Sequence, residues 1–223
     1  MIKSRKEILT KLSARIYDFS PIVIIGDSGT GKTYFAKKLC NVLRDNGLVH
    51  HYNIKPAWEF TQSMIEALTN HETNTWRKQF ASSEIIVLDD LQYLSQKRAS
   101  SEELYQFLCS VDVPVVITSS VPPTKEFFVC SDLVTYMSAG THVNLNETLR
   151  ADTKEYLQRC LSDHSVNLTN EAMDWLLQQE LSTIAMVKGI VRTLELYQES
   201  SNAILDITES QKLLESRLII ESK

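Results

Sequence analysis

The stretch that decides the fold is Gly26-Asp27-Ser28-Gly29-Thr30-Gly31-Lys32-Thr33, which matches the phosphate-binding pattern G-x-x-x-x-G-K-[ST]. It follows an apolar run, Pro21 to Ile25, and precedes a segment with helical periodicity, as a strand–loop–helix unit requires. Its glycines allow backbone N–H groups to turn inward toward anionic oxygens, and the next helix adds the positive end of its dipole. We predict that all eight residues bind the phosphates of ATP or ADP.

Two residues of this loop are expected to do most of the chemistry. Lys32 should reach the β- and γ-phosphates, and the Thr33 hydroxyl should ligate Mg²⁺. The structural alternative is a glycine-rich turn that only joins a strand to a helix. The apolar strand in front of the loop favours the phosphate site.

A second landmark is Ile85-Ile86-Val87-Leu88-Asp89-Asp90. The apolar, β-branched run predicts a buried parallel strand, and its carboxyl end carries two acids. Nucleotide-binding sheets place a magnesium-holding acid at this edge, and a second acid could activate the attacking water. The alternative is a strand that ends in a polar turn, where Asp is common.

A third apolar run, Val113 to Thr118, predicts another buried strand that ends in Ser119-Ser120-Val121-Pro122-Pro123. Small hydroxyls at such an edge could contact the γ-phosphate or its attacking water. Taken alone, this segment is better described as a plain turn.

Composition excludes several classes of protein. The chain has 223 residues, is 43% hydrophobic and carries a formal charge of −5, so it shows no large basic footprint for nucleic acid. No apolar run approaches the ~18 residues that span a bilayer, and no signal core follows the N-terminal charges, so we expect a cytoplasmic protein without membrane contact. Four dispersed cysteines disfavour zinc and disulfides.

The first two thirds of the chain alternate between strands and helices. A capping box, Ser4-x-x-Glu7, predicts a helix from Ser4 to Phe19, and Leu48 to Asn53 is the second strand candidate. Pro56 should start a helix through Leu68, and Ser100-x-x-Glu103 should cap another. Asp132 to Gly140 shows little pattern, and a last short strand follows at 142–145.

From Thr148 onward only helical patterns remain, and a capping box at Thr208-x-x-Gln211 predicts the last helix, through Ile219. We therefore predict two domains. Residues 1–146 should form an α/β fold, a three-layer αβα sandwich of the P-loop NTPase class with a parallel sheet, and residues 147–223 a small all-helical lid.

With both landmarks in place, the chain resembles the AAA+ ATPase module of the DnaA/Hda family of bacterial replication proteins, from about Ser20 to Glu215. The most specific segment is Ile86-Val87-Leu88-Asp89-Asp90-Leu91-Gln92-Tyr93-Leu94, which is similar to the family's apolar-Asp-Asp-Ile-Gln-Phe-Leu. Ile117 to Pro123 resembles its Leu-Thr-Ser-Asp-Arg-Pro-Pro, and the helix with Trp58 resembles the initiator-specific helices. The resemblance implies that Asp89 holds Mg²⁺ with Thr33, that Asp90 is the catalytic carboxylate, and that Ser119 and Ser120 lie at the first sensor.

The chain departs from the family at three positions. Ser120 stands where the family usually has Asp or Asn, and a hydroxyl is not a charged acceptor. No arginine occurs between Arg98 and Arg150, where the family carries its arginine finger. The second sensor arginine is replaced by Ala185, although Lys188 or Arg192, within two turns, could substitute. These departures predict at most a slow Mg²⁺-dependent ATPase.

Three functions stay open at this point. The resemblance implies an ATP-binding regulator of replication initiation that assembles with the initiator, with other AAA+ subunits or with itself. A helicase loader or transposition helper is the second, with Lys55, Arg77 and Lys78 contacting weakly bound single-stranded DNA and Trp58 or Trp76 stacking on its bases. The third is a nucleotide-holding scaffold without turnover.

Overall fold

The computed structural model describes residues 4–81, 83–179, 181, 183–201 and 204–218. The chain divides into two compact units, residues 3–146 and 147–223. No helix among the described residues is long and apolar enough to cross a membrane.

The first unit is built on a five-stranded parallel sheet in the order β2-β3-β4-β1-β5. The strand bounds are β1 Ile22–Ile25, β2 Asn53–Pro56, β3 Ile86–Asp89, β4 Val115–Ser119 and β5 Thr141–Asn144. The predicted parallel α/β sandwich is confirmed. The predicted bounds of the second strand, Leu48 to Asn53, were wrong, because residues 48–52 lead into β2 and pairing with β3 starts only at Asn53.

Both faces of the sheet are buried, which explains why its strands consist of consecutive apolar residues. Alternate side chains enter different cores: Ile22 and Ile24 pack with helices α1 and α2, whereas Val23 packs with the aromatic core on the opposite face. The helices of this unit are α1 Arg5–Ala14, α2 Lys32–Asp45, α3 Ala57–Thr69, α4 Thr73–Ala81, α5 Arg98–Ser110 and α6 Ser131–Ser138, with a 3₁₀ turn at Leu91–Leu94. This is a three-layer arrangement.

Three of these helices differ from the sequence prediction. Helix α1 ends at Ala14, five residues before the predicted end at Phe19. Helix α6 occupies the stretch that showed little pattern, and Leu133, Val134 and Met137 bury it in the core at helical spacing. Helix α5 begins at Arg98, so Ser100 lies inside the helix and does not cap it. The next residue, Ser101, is buried and its hydroxyl donates to the carbonyl of Leu94 at 3.1 Å.

The second unit contains α7 Leu145–Asp163, α8 Asn170–Gln178, α9 Ile184–Ser201 and α10 Ile207–Leu218 around its own apolar core. The expected capping box of the last helix was placed two residues too late. Asp206 Oδ1 accepts from the Glu209 amide at 2.8 Å, and a Glu209 carboxylate oxygen accepts from the Asp206 amide at 3.2 Å. Ile219, the predicted end of this helix, lies outside the described residues.

Candidate nucleotide-binding site

The phosphate loop joins β1 to α2, and its shape depends on glycine. Gly29 and Gly31 have φ angles of 81° and 89°, a left-handed conformation that side chains disfavour. At Gly26 an added Cβ would lie 2.7 Å from the Thr30 hydroxyl oxygen, so a larger residue would displace that hydroxyl. The Thr30 hydroxyl donates to the Asp27 carbonyl at 2.9 Å, which closes the turn. Asp27, Ser28 and Gly29 form the exposed crest of the loop.

Lys32 is buried with only 7% of its surface exposed, and its ammonium group lies inside the curl of the loop. The Nζ atom donates to the carbonyl of Gly26 at 2.8 Å and to that of Asp27 at 3.1 Å. Burial lowers the pKa of Lys32 below its ordinary value of 10.5, and the nearby carboxylates of Asp90, Asp89 and Asp27 oppose this effect. A cation is therefore held where an incoming phosphate can replace two carbonyl partners.

Thr33, Asp89 and Thr118 form what we call the buried seam. Thr33 Oγ1 donates to Asp89 Oδ2 at 2.7 Å, and Thr118 Oγ1 donates to Asp89 Oδ1 at 2.6 Å. Strand β4 lies between β1 and β3, so its Thr118 reaches the acid at the end of β3. The seam brings together the two side chains assigned to Mg²⁺, and both offer the oxygen ligands that this ion prefers.

Thr118 was missed by the sequence prediction, which considered only the serines after it. Its side chain is fully buried, and besides donating to Asp89 it accepts from the backbone amide of Asp90 at 2.9 Å. A hydroxyl at the end of an otherwise apolar, buried strand was the available signal, because such a group needs a polar partner.

Asp90, Gln92 and Ser120 form what we call the outer edge. Asp90 is exposed and adopts a left-handed backbone, with φ 57° and ψ 52°. The Gln92 amide nitrogen donates to Asp90 Oδ1 at 2.9 Å, and its amide oxygen accepts from the Ser120 backbone at 3.1 Å. The Asp90 carboxylate is thus held by the side chain two residues on, which the sequence prediction had given no role.

The two predicted sensor serines are placed differently. The Ser119 hydroxyl is buried and is used within its own turn, where it donates to the Val121 carbonyl at 2.7 Å and accepts from the Val121 amide at 3.2 Å. Ser120 is half-buried and contacts Gln92 through its backbone. The acids of β3 therefore meet Thr118 and Gln92 rather than the Ser119 hydroxyl.

Two residues outside the motif also contact the loop. Arg5, at the start of α1, donates to the carbonyls of Thr30 and Leu145 at 3.1 and 3.3 Å. The Asn146 side chain accepts from the Asp27 amide at 3.0 Å. The sequence prediction had given Arg5 no role at this site.

The surface considered for single-stranded DNA is only partly available. Trp76 is buried among Phe60, Phe80 and Phe107, and its indole nitrogen donates to a serine at 3.0 Å, so it cannot stack on a base. Lys55 forms an ion pair with Glu59 at 3.0 Å. Trp58 is 48% exposed, and Arg77 and Lys78 on α4 are exposed as well.

The second unit holds the residues near the second sensor position. Ala185, Lys188 and Arg192 are all exposed on α9. The two cations line a cavity of about 170 Å³ together with Tyr156, Cys160, His164 and Val191. Within this unit, His164 pairs with Glu195 at 2.9 Å.

The chain is similar to known proteins over most of its length. The family model described as the bacterial DnaA ATPase domain matches residues 6–144. The chromosomal replication initiator protein DnaA 1 of Chlamydia muridarum is 24% identical over 208 residues, which cover 91% of this chain and 45% of the relative. The chain spans less than half the length of the curated relatives that it matches first.

Solved structures show the same fold. Domain III of the Thermotoga maritima initiator DnaA superposes with a TM-score of 0.80 at 18% identity, covering 95% of this chain and 90% of that one. A replication initiator DnaA bound to AMPPCP and single-stranded DNA gives a TM-score of 0.72 at 23% identity, covering 88% and 63%. The chain belongs to the family of the bacterial DnaA ATPase domain, a group of AAA+ proteins of replication initiation.

Proposed function

We propose that this DnaA-type domain binds ATP and ADP with Mg²⁺ at residues 26–33 and uses the bound nucleotide to control a protein assembly in replication initiation. The observation that carries the proposal is the pairing of Thr33 with Asp89 at 2.7 Å beside the buried Lys32. A hydroxyl and a carboxylate across the sheet, next to an ammonium group, fit a magnesium–polyphosphate complex. AMPPCP bound to a related initiator supports the same reading.

In this proposal the residues divide the work. Backbone N–H groups of the loop and the Lys32 ammonium bind phosphate oxygens, and Thr33 and Asp89 would hold the ion. The ion neutralises charge on the phosphates when it is bound. Asp90 is the candidate base for an attacking water, and the absence of an arginine between Arg98 and Arg150 keeps hydrolysis slow. The ATP-bound state would then persist long enough for a partner to bind it, as a switch requires.

Titration calorimetry with ATP and ADP, each with and without Mg²⁺, tests nucleotide binding directly. We expect affinity in the micromolar range or better, dependence on Mg²⁺ for ATP, and loss of binding in Lys32→Ala. Lys37→Ala on the exposed side of α2 is the matched control, because it removes the same charge away from the loop. Absence of heat with both nucleotides would overturn the proposal.

Assembly is tested separately with purified proteins. The chain is mixed with the replication initiator of the same host in ATP, in ADP and without nucleotide, and complex mass is measured by light scattering. We expect a complex, either with the initiator or between copies of this chain, that forms in ATP and weakens in ADP. A single mass equal to the separate chains under all three conditions would contradict the regulatory role.

A second candidate, binding of single-stranded DNA in a helicase-loader or transposition-helper role, is favoured by one observation. Trp58 is half exposed on the same unit as the exposed Arg77 and Lys78, and a related initiator was solved with single-stranded DNA. Base stacking on an aromatic ring is worth about 1–3 kcal/mol per base. Affinity for oligothymidine that falls steeply with salt and is lost in Trp58→Ala would support it, and no binding at low salt would remove it.

The third candidate, a nucleotide-holding scaffold, differs from the first in turnover alone. If the chain is a scaffold, Asp90→Asn leaves every measured rate unchanged, and Lys32→Ala lowers thermal stability only in the presence of nucleotide. A measurable ATPase rate that Asp90→Asn abolishes would exclude this candidate.

A further inference from the structure

The phosphate loop is tied to the rest of its unit by a closed ring of hydrogen bonds that lies outside the motif. Arg5 donates to Thr30 and to Leu145; the Thr30 hydroxyl donates to the Asp27 carbonyl; and the Asp27 amide donates to the side chain of Asn146, the neighbour of Leu145. Five residues from three distant parts of the chain therefore meet around the loop.

The Arg5 contact falls at the point where the loop backbone is intrinsically freest. Thr30 lies between Gly29 and Gly31, and both glycines adopt left-handed backbone angles. Fixing the backbone of a glycine costs more conformational entropy than fixing that of any other residue. A guanidinium held against the Thr30 carbonyl restrains this pivot. Since bound phosphates need the loop amides in one arrangement, a loop restrained beforehand binds them more tightly.

Arg5 is itself held firmly. Ser4 caps α1 by accepting from the Glu7 amide at 3.3 Å, so the helix begins at Arg5. Leu9 and Leu12 are buried in the core that also contains Phe35 and Leu39 of α2, the helix that starts at Lys32. The guanidinium therefore approaches the loop from a helix packed on the loop's own helix.

Arginine suits this position better than lysine would. Its planar fork donates to two acceptors at once, here two carbonyl oxygens that lie 115 residues apart in sequence, whereas an ammonium group is a single point charge on a flexible stem. The neighbouring Lys6 is exposed and supplies the same charge without these contacts to the loop.

We propose that Arg5 is a positioning residue of the phosphate loop, which raises nucleotide affinity by bracing Thr30 against Leu145. The inference rests on the proposed function, because it assumes that the loop binds nucleotide. The loop's own rigidity, however, can be measured without any nucleotide.

The experiment compares Arg5→Ala, Arg5→Lys and the control Lys6→Ala with the unsubstituted chain. By calorimetry we expect ADP affinity to fall about tenfold in Arg5→Ala, about threefold in Arg5→Lys and less than twofold in Lys6→Ala. These changes are the size expected for the loss of one or two charge-assisted hydrogen bonds. Millimolar guanidinium should restore part of the affinity of Arg5→Ala and none of that of Lys32→Ala. Far-UV circular dichroism and thermal melting confirm that each variant is folded.

Hydrogen exchange of the nucleotide-free chains supplies the second measurement. In Arg5→Ala we expect faster exchange of amides in residues 26–33, with the central strands unchanged, and no such change in Lys6→Ala. Loop exchange in Arg5→Ala equal to that of the unsubstituted chain would overturn the inference, whatever the result for nucleotide affinity. If the unsubstituted chain binds neither ATP nor ADP, the proposed function fails, while exchange still decides whether Arg5 braces the loop.

Discussion

The buried seam and the outer edge begin at adjacent residues, Asp89 and Asp90, yet their surroundings differ in almost every respect. Asp89 is 8% exposed, lies in the regular geometry of β3, and accepts one hydroxyl on each carboxylate oxygen. Asp90 is exposed, has a left-handed backbone, and is held by an amide from its own turn. The Asp89 carboxylate is thus enclosed by the protein, whereas the Asp90 carboxylate faces solvent.

This difference separates binding from turnover. The seam links the start of α2 to the ends of β3 and β4, so any change in it disturbs the core of the site as well as the ion. The outer edge depends on short-range contacts at the surface, where the chain also departs from its family at Ser120. Substitutions in the seam should therefore affect nucleotide binding, and substitutions at the edge only the rate of hydrolysis.

The largest effect is expected from Lys32→Ala, which removes the cation next to the seam. We expect nucleotide affinity to fall by at least about 100-fold, because the phosphates lose the ammonium group that would pair with their negative charge. Calorimetry with ADP measures the loss. An affinity within threefold of that of the unsubstituted chain would show that the seam and the loop amides are sufficient for nucleotide binding.

Asp89→Asn tests the seam itself. The amide keeps the size of the side chain but offers one acceptor oxygen where two hydroxyls now donate, so one hydroxyl loses its acceptor, at a cost of about 1–3 kcal/mol. We expect lower stability in urea and loss of the Mg²⁺ dependence of ATP binding. Asp90→Asn is the matched control, since it changes the same chemical group at the exposed position and should alter neither quantity.

Alkaline pH offers a way to break the site without mutation. Because burial lowers the pKa of Lys32 below 10.5, its ammonium group loses a proton at a lower pH in the folded chain than in the unfolded chain. ADP affinity should therefore begin to fall before pH 10.5 is reached, as the buried ammonium group loses its proton. Lys32→Ala serves as the control and should show a flat profile.

The same shift has the opposite sign for stability. Between the lowered pKa and 10.5 the unfolded state binds more protons at Lys32, so the contribution of this group to folding becomes more favourable as pH rises. Affinity that falls while this contribution rises would separate loss of the cation from unfolding. Parallel loss of affinity and of helical signal would instead show that the chain unfolds.

The smallest effect is expected from Gln92→Ala at the outer edge. Removal of the amide releases the Asp90 carboxylate from its fixed orientation, and we expect slow ATP hydrolysis to fall about three- to tenfold. Nucleotide affinity should stay within twofold, because neither Thr33 nor Asp89 loses a partner. A single-turnover ATPase assay with saturating ATP measures the rate, and an unchanged rate would show that the Gln92 contact has no part in turnover.

The two regions also differ in how far sequence could predict them. Residues 26–33 and the strand ending in Asp89 were recognisable because glycine spacing, an apolar strand and an acid at its end are local properties. The second strand was misplaced because the apolar pattern in 48–53 precedes the residues that pair with β3. The helix at 131–138 was missed because it is only 8 residues long, so only Leu133, Val134 and Met137 mark its buried face.

Sequence by itself determined that the chain has a phosphate loop, a parallel α/β sheet and two acids at one strand end, since each follows from periodicity and residue type within a short window. Only the tertiary structure decided the partners. It placed β4 between β1 and β3, so that Thr118 bonds to Asp89, and it packed α1 on α2, so that Arg5 reaches Thr30. Such contacts join residues dozens of positions apart, and no local pattern records which distant group will satisfy a buried hydroxyl or a guanidinium.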